Sequence, residues 1–502
     1  MRCVSLVDLG SNSARLVVYE LDEGRGFRLL DEIREVIQLG AGIARNGRLS
    51  DDGIARALAA VRTFSDFAEA AALPMPRIMA TSAVRSAANR EALLRSVRET
   101  GVEIEVLSGG VEAAQGVLAA ANSFTLSDAW VIDLGGGSMQ VSLMRQRAYV
   151  SGSAHPFGAI RVSEQFLGAS DPPGQQDVAA LRAAVDSDLG PVLERMRSQS
   201  LPLIVMGGTV RNLARAIQRE TAYPWPQMHG YCLDRQALEK LVARLLSMSA
   251  TERAGVAGIS RYRADSVLAG ALVLQHVLSE AGLASLAVSA YGMREGALMQ
   301  EFLPAPHLIE DVRAFHVRNV AWRYPQPADH THRVVDLSRQ LFEALRPLHG
   351  YGSPEAGLLE AAAVLHDIGK IIGHRDHAKH GEYLLTGADL PGFDHREQAL
   401  LALLVRFHRG GLPNGSSYRS ILRDDDRRRL AQLTVCLRLA EYLDRPRTGR
   451  VKGVDAVIDD EKVTLRLQSD SEPWVELWET RKQAHLFQLA YARRLSLKVS
   501  SD

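Results

Sequence analysis

The chain is poor in cysteine, has no excess of either charge and contains no long apolar run. Its three cysteines, Cys3, Cys232 and Cys436, are too few for a disulfide framework and lack metal-binding spacing. Because its 59 basic and 59 acidic residues cancel, no global field favours nucleic acid or a membrane surface. No uncharged apolar stretch approaches the roughly 18 residues of a bilayer-spanning helix. Any anionic ligand must therefore bind at a local patch of the protein that attracts anions.

What remains is the composition of an ordinary globular protein. The 502 residues are enough for about three or four domains, with 46% hydrophobic and 24% charged residues. The sequence opens directly into an apolar, strand-like segment without a basic-then-apolar leader. We therefore expect a cytoplasmic protein that binds neither nucleic acid nor membrane.

The most informative pattern is a duplicated turn. The segments Asp8–Ser13 (DLGSNS) and Asp133–Ser138 (DLGGGS) lie 125 residues apart, and apolar, strand-like residues flank both. Each pattern predicts a β-hairpin whose turn consists of small residues, with one carboxylate at its mouth. Such a turn presents backbone N–H groups and hydroxyls to a phosphate, and its Asp can hold a divalent cation. Two facing copies would clamp a chain of phosphates.

The periodicity of the chain predicts four domains. Residues 1–122 and 123–303 alternate strand-like and helix-like segments and form two α/β lobes. In the second lobe, the pair Gly207-Gly208 precedes a helix whose N-terminus suits anions. Residues 304–450 are helical in pattern, and residues 451–502 form a small α+β tail with strand-like residues 451–467 and one helix over residues 475–491. The predicted class is α/β with a helical domain and a small tail.

Several ordered segments narrow the interpretation. The duplicated turn resembles the phosphate loops of the actin-like, sugar kinase and Hsp70 ATPase superfamily. Together with five further segments, the duplicated turn resembles the exopolyphosphatase/guanosine pentaphosphate phosphohydrolase family over residues 1 to about 300. The resemblance extends into the helical half. It implies two actin-like (ribonuclease H-like) lobes. The segments are ATSAVR (80–85), LSGGVEA (107–113), GGTVR (207–211), RAD (263–265) and YGMREG (291–296).

The resemblance assigns roles to named residues. It implies that Glu112 is the catalytic carboxylate that orients or deprotonates water, and that Asp8 and Asp133 hold Mg²⁺ against the phosphates. Phosphoanhydride cleavage also needs groups that neutralise the phosphoryl oxygens. For that role we predict the turn residues together with residues from two other motifs: Ser11, Asn12, Ser13, Gly136, Gly137, Ser138, Arg85, Thr209 and Arg211.

The chain departs from the family's usual pattern at two places. Gly110-Val111 precedes Glu112 where the family usually has an acidic residue at the second position, and Met139-Gln140 follows Ser138 where it usually has Thr-Glu. Gln140 can hydrogen-bond water but supplies no negative charge. If the missing carboxylate limits activity, the change Gln140→Glu should raise turnover or lower the Mg²⁺ requirement.

The helical half contains an ordered set of histidines and aspartates. His330, the pair His366-Asp367 and Asp444 resemble the four ligands of the HD phosphohydrolase superfamily, which hold one divalent metal. His380 and His408 match positions that hold a second metal in some HD enzymes, and His377 and His395 are further candidates. Mixed imidazole and carboxylate ligands suit Mn, Fe, Co or Zn.

Two interpretations of this half stay open. It is either a second phosphohydrolase site that acts on a nucleotide, or an HD fold used as scaffold, dimer surface and polyphosphate channel, in which metal is optional. A channel would need a basic lining, for which the sequence offers arginines 406, 409, 427, 428, 429 and 438. A solvated charged face would have the same pattern.

The sequence as a whole predicts a Mg²⁺-dependent exopolyphosphatase, which hydrolyses the terminal phosphate of inorganic polyphosphate by in-line attack of water. The alternatives are a 5′-phosphatase of guanosine pentaphosphate (pppGpp) and a nucleotide-binding regulatory protein with weakened hydrolysis. An actin-like ATPase or kinase is more distant. The resemblance also implies a homodimer.

Overall fold

The computed structural model describes residues 1–168 and 170–500 and divides into two compact units. The first, here called the α/β unit, comprises Met1–Tyr223 and Met228–Val312; the second, the helical unit, comprises Pro224–Gln227 and Arg313–Asp502. Among the described residues, no helix is both long enough and apolar enough to cross a membrane.

The α/β unit contains two mixed sheets. The first has the strand order β3-β2-β1-β4-β5 and the second the order β10-β11-β9-β6-β7-β8. The strands are β1 (Arg2–Leu9), β2 (Ser13–Asp22), β3 (Gly26–Val36), β4 (Arg77–Ala80), β5 (Ile104–Val106), β6 (Ala129–Leu134), β7 (Met139–Arg145), β8 (Ala148–His155), β9 (Leu203–Met206), β10 (Cys232–Asp234) and β11 (Ser285–Val288).

Helices connect these strands. They are α1 (Ile43–Asn46), α2 (Asp51–Ala70), α3 (Ser82–Ser86), α4 (Arg90–Arg98), α5 (Gly109–Ala121), α6 (Ala159–Phe166), α7 (Gln175–Gln199), α8 (Gly208–Glu220), α9 (Arg235–Leu246), α10 (Ala250–Arg253), α11 (Val267–Glu280) and α12 (Met293–Phe302). Separate apolar cores lie against the two sheets, one around Phe64 and Leu16 and the other around Leu134 and Leu272. Each sheet is thus the framework of its own lobe.

The two lobes begin with the same hairpin. In the first, β1 and β2 pair so that Asp8 stands opposite Arg15; in the second, β6 and β7 pair so that Asp133 stands opposite Gln140. The predicted strand–turn–strand pattern is therefore present twice, with the two carboxylates at equivalent places.

The helical unit is built from long helices and a three-stranded sheet of order β12-β13-β14. Its helices are α13 (Val312–Arg323), α14 (Ala328–Ala344), α15 (Arg346–His349), α16 (Ser353–Leu365), α17 (His377–Gly387), α18 (His395–Phe407), α19 (Asp426–Leu443), α20 (Trp474–Arg481) and α21 (Ala484–Tyr491), and its strands are β12 (Val451–Ile458), β13 (Lys462–Ser469) and β14 (Arg494–Ser500).

The tail differs from the sequence-based expectation. Where one helix was expected over residues 475–491, the chain forms α20 and α21 with a break at Lys482 and Gln483, and β14 follows as a third strand parallel to β13. Fully buried Phe487 on α21 and buried Leu477 on α20 point into the unit. The break allows two short helices to bury separate apolar faces, which one straight helix would not do.

Candidate functional site

The two predicted phosphate turns have matching geometry and face each other. The Gly10 N–H donates to the Ser13 carbonyl at 3.2 Å, and in the second turn the Gly135 N–H donates to the Ser138 carbonyl at 3.0 Å. A Cβ atom added at Gly137 would lie 2.7 Å from Ser11 Oγ. The close approach of the turns therefore requires a residue without a side chain at this position.

The turns line a polar cleft of the α/β unit. Ten of the twelve residues predicted for this site line it: Asp8, Ser11, Asn12, Ser13, Glu112, Asp133, Gly136, Gly137, Ser138 and Arg211. The other two are not among its lining residues. Thr209 is buried in the first turn of α8, and the Arg85 guanidinium contacts the Glu112 carboxylate.

Glu112 is a buried carboxylate with one cationic partner. It lies in the first turn of α5, which Ser108 caps by accepting the Val111 N–H. Arg85 Nη1 donates to Glu112 Oε2 at 2.9 Å and to the Leu107 carbonyl at 2.8 Å. Burial, together with the charge of Asp133, raises the pKa of Glu112 to about 7, although Arg85 opposes the shift. A carboxylate with a pKa near neutrality is suited to accept a proton from water.

Asp8 and Asp133 have the properties of a cation site. Burial raises the pKa of Asp8, although Arg294 opposes the shift. Burial and the neighbouring Asp8 raise the pKa of Asp133 to about 6. A divalent cation would relieve this repulsion between buried carboxylates, and carboxylate oxygens are ligands that Mg²⁺ prefers. The donor set therefore fits Mg²⁺.

Sequence reasoning missed four charged residues at one side of the cleft. Arg15, Arg263, Arg294 and Glu295 all line it. Burial lowers the pKa of Arg263 and Arg211 to about 10, and repulsion from other arginines adds to the effect. Clustered, desolvated guanidinium groups are suited to bind phosphate oxygens. Motifs that include Arg263 and Arg294 were visible in the sequence, but nothing there indicated that they converge with Arg15.

The position of Arg263 depends on a glycine. A Cβ atom at Gly208 would come 2.1 Å from the Arg263 guanidinium, so this side chain packs directly on the backbone at the start of α8. Arg211, one turn along the same helix, donates to the Ala290 carbonyl at 3.3 Å. The Gly207-Gly208 pair thus brings two guanidinium groups to a helix N-terminus, as an anion site requires.

A second cluster of ionisable side chains lies in the helical unit. His330, His366 and Asp367 have ligand atoms close enough to hold one metal ion, and Asp367, His377 and His408 have a second such set. All five residues are buried. Asp367 belongs to both sets: its Oδ1 lies 3.4 Å from His377 Nε2 and its Oδ2 3.5 Å from His366 Nε2.

The four histidines of this cluster are oriented in the same way. Their Nδ1 atoms bond to oxygen: His330 to Asp444 at 2.7 Å, and the others to the carbonyls of Ala363, His374 and Val405 at 2.7–2.8 Å. If Nδ1–H is the donor in each, all four Nε2 atoms are left free to bind a metal. The arrangement fits a metal centre.

Two residues predicted as ligands lie outside these sets, and another residue occupies the centre. Asp444 bonds to His330 Nδ1 and accepts the Gly449 N–H, and it forms an ion pair with Arg333, so its carboxylate orients His330. No ring nitrogen of His380 joins either set among the described residues. Instead Glu441, which sequence reasoning missed, places Oε2 2.9 Å from His330 Nε2 and 3.3 Å from His366 Nε2.

Four of the arginines suggested as a polyphosphate lining have partners within the helical unit. Arg406 forms an ion pair with Glu382, and Arg409 with Glu441. Arg429 forms ion pairs with Glu355, Asp425 and Asp426. Buried Arg438 donates to the carbonyls of Phe407 and Gly411. Each of these four side chains therefore already has a carboxylate or carbonyl partner within the unit. His395, the remaining candidate, is buried in α18 beside Trp225.

Comparison with known proteins gives a consistent result over both units. Residues 17–304 match the model of the Ppx/GppA phosphatase family, and residues 312–486 match that of Ppx/GppA phosphatase, domain III. Exopolyphosphatase 1 of Mycobacterium tuberculosis is 29% identical over 303 residues, which cover 59% of this chain and 88% of that protein.

Solved structures resemble the chain over a similar share. An exopolyphosphatase from Cytophaga hutchinsonii aligns with a TM-score of 0.56 and 23% identity, covering 60% of this chain and 98% of the other. The Aquifex aeolicus member of the Ppx/GppA family aligns with a TM-score of 0.50 and 25% identity, covering 60% and 97%. The predicted actin-like fold class is confirmed.

Proposed function

Since this chain belongs to the Ppx/GppA phosphatase family and is a phosphoanhydride hydrolase, we propose that it is an exopolyphosphatase that removes the terminal phosphate of inorganic polyphosphate. The observation that carries the proposal is the cleft itself. Two facing phosphate turns, a cluster of arginines and a buried glutamate with a pKa of about 7 line or adjoin one cavity. The turns and arginines are suited to bind a chain of phosphates, and the glutamate is suited to activate a water molecule beside it.

Each group has a role in this mechanism. The turn hydroxyls and backbone N–H groups, with Arg211, hold the terminal phosphates in place. Glu112, positioned by Arg85, accepts a proton from the water that attacks the terminal phosphorus in line. The polyphosphate shortened by one unit is the leaving group. Arg263 and Arg294 neutralise the negative charge of its phosphates.

Asp8 and Asp133 are the residues that would hold Mg²⁺, since their paired charges fit a divalent cation. The ion, when bound, would neutralise phosphoryl oxygens as negative charge develops on them. Mg²⁺ dependence is part of the proposal.

The experiment measures phosphate release from long-chain polyphosphate beside release from pppGpp, under the same conditions and at several substrate concentrations. We expect kcat/KM for polyphosphate to exceed that for pppGpp. The opposite order would identify the chain as a pppGpp phosphatase. Tight binding of nucleotide without release of phosphate from either substrate would identify a regulatory protein and contradict the proposal.

A second proposal concerns the helical unit and is based on its buried cluster of histidines and carboxylates. We propose that this unit binds at least one transition metal, Mn, Fe, Co or Zn, through His330, His366 and Asp367 with Glu441. His377 and His408 share Asp367 and would hold a second ion. Retention of metal should decrease below about pH 6, because only neutral imidazole coordinates.

The assembly state follows from the resemblance alone. We propose a homodimer and no partner beyond polyphosphate or pppGpp, and light scattering of the purified chain would test the dimer directly. A monomer at all working concentrations would contradict it.

A further inference from the structure

Gln140 lies behind the second phosphate turn and contacts one of its hydroxyl groups. Its side chain is 2% exposed, and Nε2 lies 2.9 Å from Ser138 Oγ. Ser138 lines the cleft, whereas Gln140 does not. We propose that Gln140 is a positioning residue: its amide donates to Ser138 Oγ and so leaves the Ser138 hydroxyl hydrogen to be donated to the substrate's phosphate. This inference rests on the proposed binding of phosphate in the cleft.

The bonding capacity of the Ser138 hydroxyl explains how this contact would act. A hydroxyl group has one hydrogen to donate, and when its oxygen accepts from an amide that hydrogen is directed elsewhere. Among the described residues, Gln140 Oε1 is buried without a hydrogen-bond partner. Among the described residues, no donor therefore reaches the side-chain oxygen that Gln140 already has. A carboxylate there would bring two acceptor oxygens, and the Ser138 hydroxyl is the neighbouring group able to satisfy one of them.

The duplicated hairpin provides an independent comparison. The residue equivalent to Gln140 in the first hairpin is Arg15, because Arg15 stands opposite Asp8 as Gln140 stands opposite Asp133. Both hairpins therefore place a hydrogen-bond donor, a guanidinium or an amide, across from the carboxylate at the start of the turn. A glutamate at position 140 would instead put a second negative charge directly across from Asp133, which is unfavourable for paired strands.

The consequence is opposite to the expectation from sequence. There, the absent carboxylate suggested that Gln140→Glu would raise turnover. The geometry indicates that this change would turn the Ser138 hydroxyl away from the substrate and add negative charge next to bound phosphate. Since a hydrogen bond to a charged group is lost, we expect KM for tripolyphosphate to rise roughly 10- to 100-fold at pH 8.5.

The pH dependence separates this role from a structural one. A protonated glutamate can donate to Ser138 Oγ as the amide does, so the KM of the Gln140→Glu variant should return to within a few-fold of the parent's at pH 6. Titratable groups on the elements packed against β7 are Asp133 on β6, Glu112 on α5, and Tyr149 and His155 on β8. The two carboxylates favour protonation of a third. Dividing each KM by the parent's at the same pH removes the titration of the substrate.

Two further variants make the test specific. Gln140→Met is similar in length but has no proton to gain or lose, so its KM relative to the parent should not change with pH. Ser138→Ala should raise KM in the parent background and have little effect when added to Gln140→Glu at pH 8.5, because the hydroxyl no longer serves the substrate there. Thermal melts at both pH values establish that each chain is folded.

The outcomes are distinct. A parent-like KM for Gln140→Glu at pH 8.5, or higher turnover, would overturn the inference while leaving the proposed function intact. The same holds for a KM penalty that does not change with pH, or for independent effects of the two substitutions. A parent chain that neither binds nor hydrolyses tripolyphosphate would overturn the inference together with the proposed function.

Discussion

The contact between Arg85 and Glu112 predicts a specific change in pH dependence. Arg85 Nη1 donates to Glu112 Oε2 at 2.9 Å, and it is the leading group that opposes the upward pKa shift of Glu112. Replacing Arg85 by Gln removes the positive charge, so the pKa of Glu112 should rise above its present value of about 7. A base must be deprotonated to act, and the acid limb of kcat/KM should therefore move to higher pH.

The size of the shift follows from the contact. A hydrogen bond to a charged group contributes about 1.5–3 kcal/mol. At about 1.4 kcal/mol per unit, its loss raises the pKa by roughly 1–2 units. Through protonation of Glu112 alone, the variant's kcat/KM should then fall about 5- to 50-fold at pH 7 and about 10- to 100-fold well below pH 7. At about pH 9.5 this part of the defect should be less than about twofold.

The assay is phosphate release from polyphosphate between pH 5.5 and 9.5 for the parent, Arg85→Gln and Arg85→Lys. Lysine keeps the charge, so its acid limb should stay near the parent's. Any direct contact of Arg85 with phosphate lowers kcat/KM at every pH and leaves the limb where it is. If the parent-to-variant ratio is the same across the whole range, Arg85 does not set the pKa of Glu112, and the reasoning is refuted.

Three further predictions concern the carboxylates and the metal cluster. The Asp133→Asn variant should need more Mg²⁺ and turn over more slowly, because a neutral amide compensates a cation less well; a Mg²⁺ titration that overlays the parent's would contradict this. Since the folded pKa of Glu112 is raised to about 7 from 4.5, the stability associated with its neutral form is lost as pH rises between these values. The Glu112→Gln variant should therefore gain melting temperature over the parent across that window, and an unchanged difference would show that the carboxyl is not desolvated. Elemental analysis should find metal in the purified parent and none in a His366→Ala/Asp367→Ala variant; equal, negligible metal in both would remove the site.

Local sequence patterns were enough to predict the duplicated turns and the helix after the Gly207-Gly208 pair. Each Asp-Leu-Gly turn lies between two strands, as expected, and α8 begins at this glycine pair. These features depend on residues that are close together in the chain. The two tail helices were not separated by their pattern, because α20 and α21 are both amphipathic and only the packing of the unit requires a break.

The side chains that converge from distant parts of the chain were harder to predict. Arg15, Arg263 and Arg294 meet in one cleft although about 280 residues separate the first from the last. Glu441 lies one turn before Asp444, the residue that caps the C-terminus of α19, so either could face His330 from sequence alone. The tertiary packing turns Glu441 Oε2 toward the imidazole Nε2 atoms and Asp444 toward Nδ1. Spacing along the chain does not indicate which of these two carboxylates faces the Nε2 atoms.

The central claim is that phosphoanhydride chemistry occurs in the cleft beside Glu112. Its most direct test is phosphate release from long-chain polyphosphate by three folded chains: the parent, Glu112→Gln, and His366→Ala/Asp367→Ala. We expect Glu112→Gln to lose roughly 10²- to 10⁴-fold in turnover while still binding polyphosphate. We expect the chain without the histidine–aspartate pair to keep parental turnover. Loss of all activity in that chain, with Glu112→Gln within tenfold of the parent, would instead assign the chemistry to the helical unit.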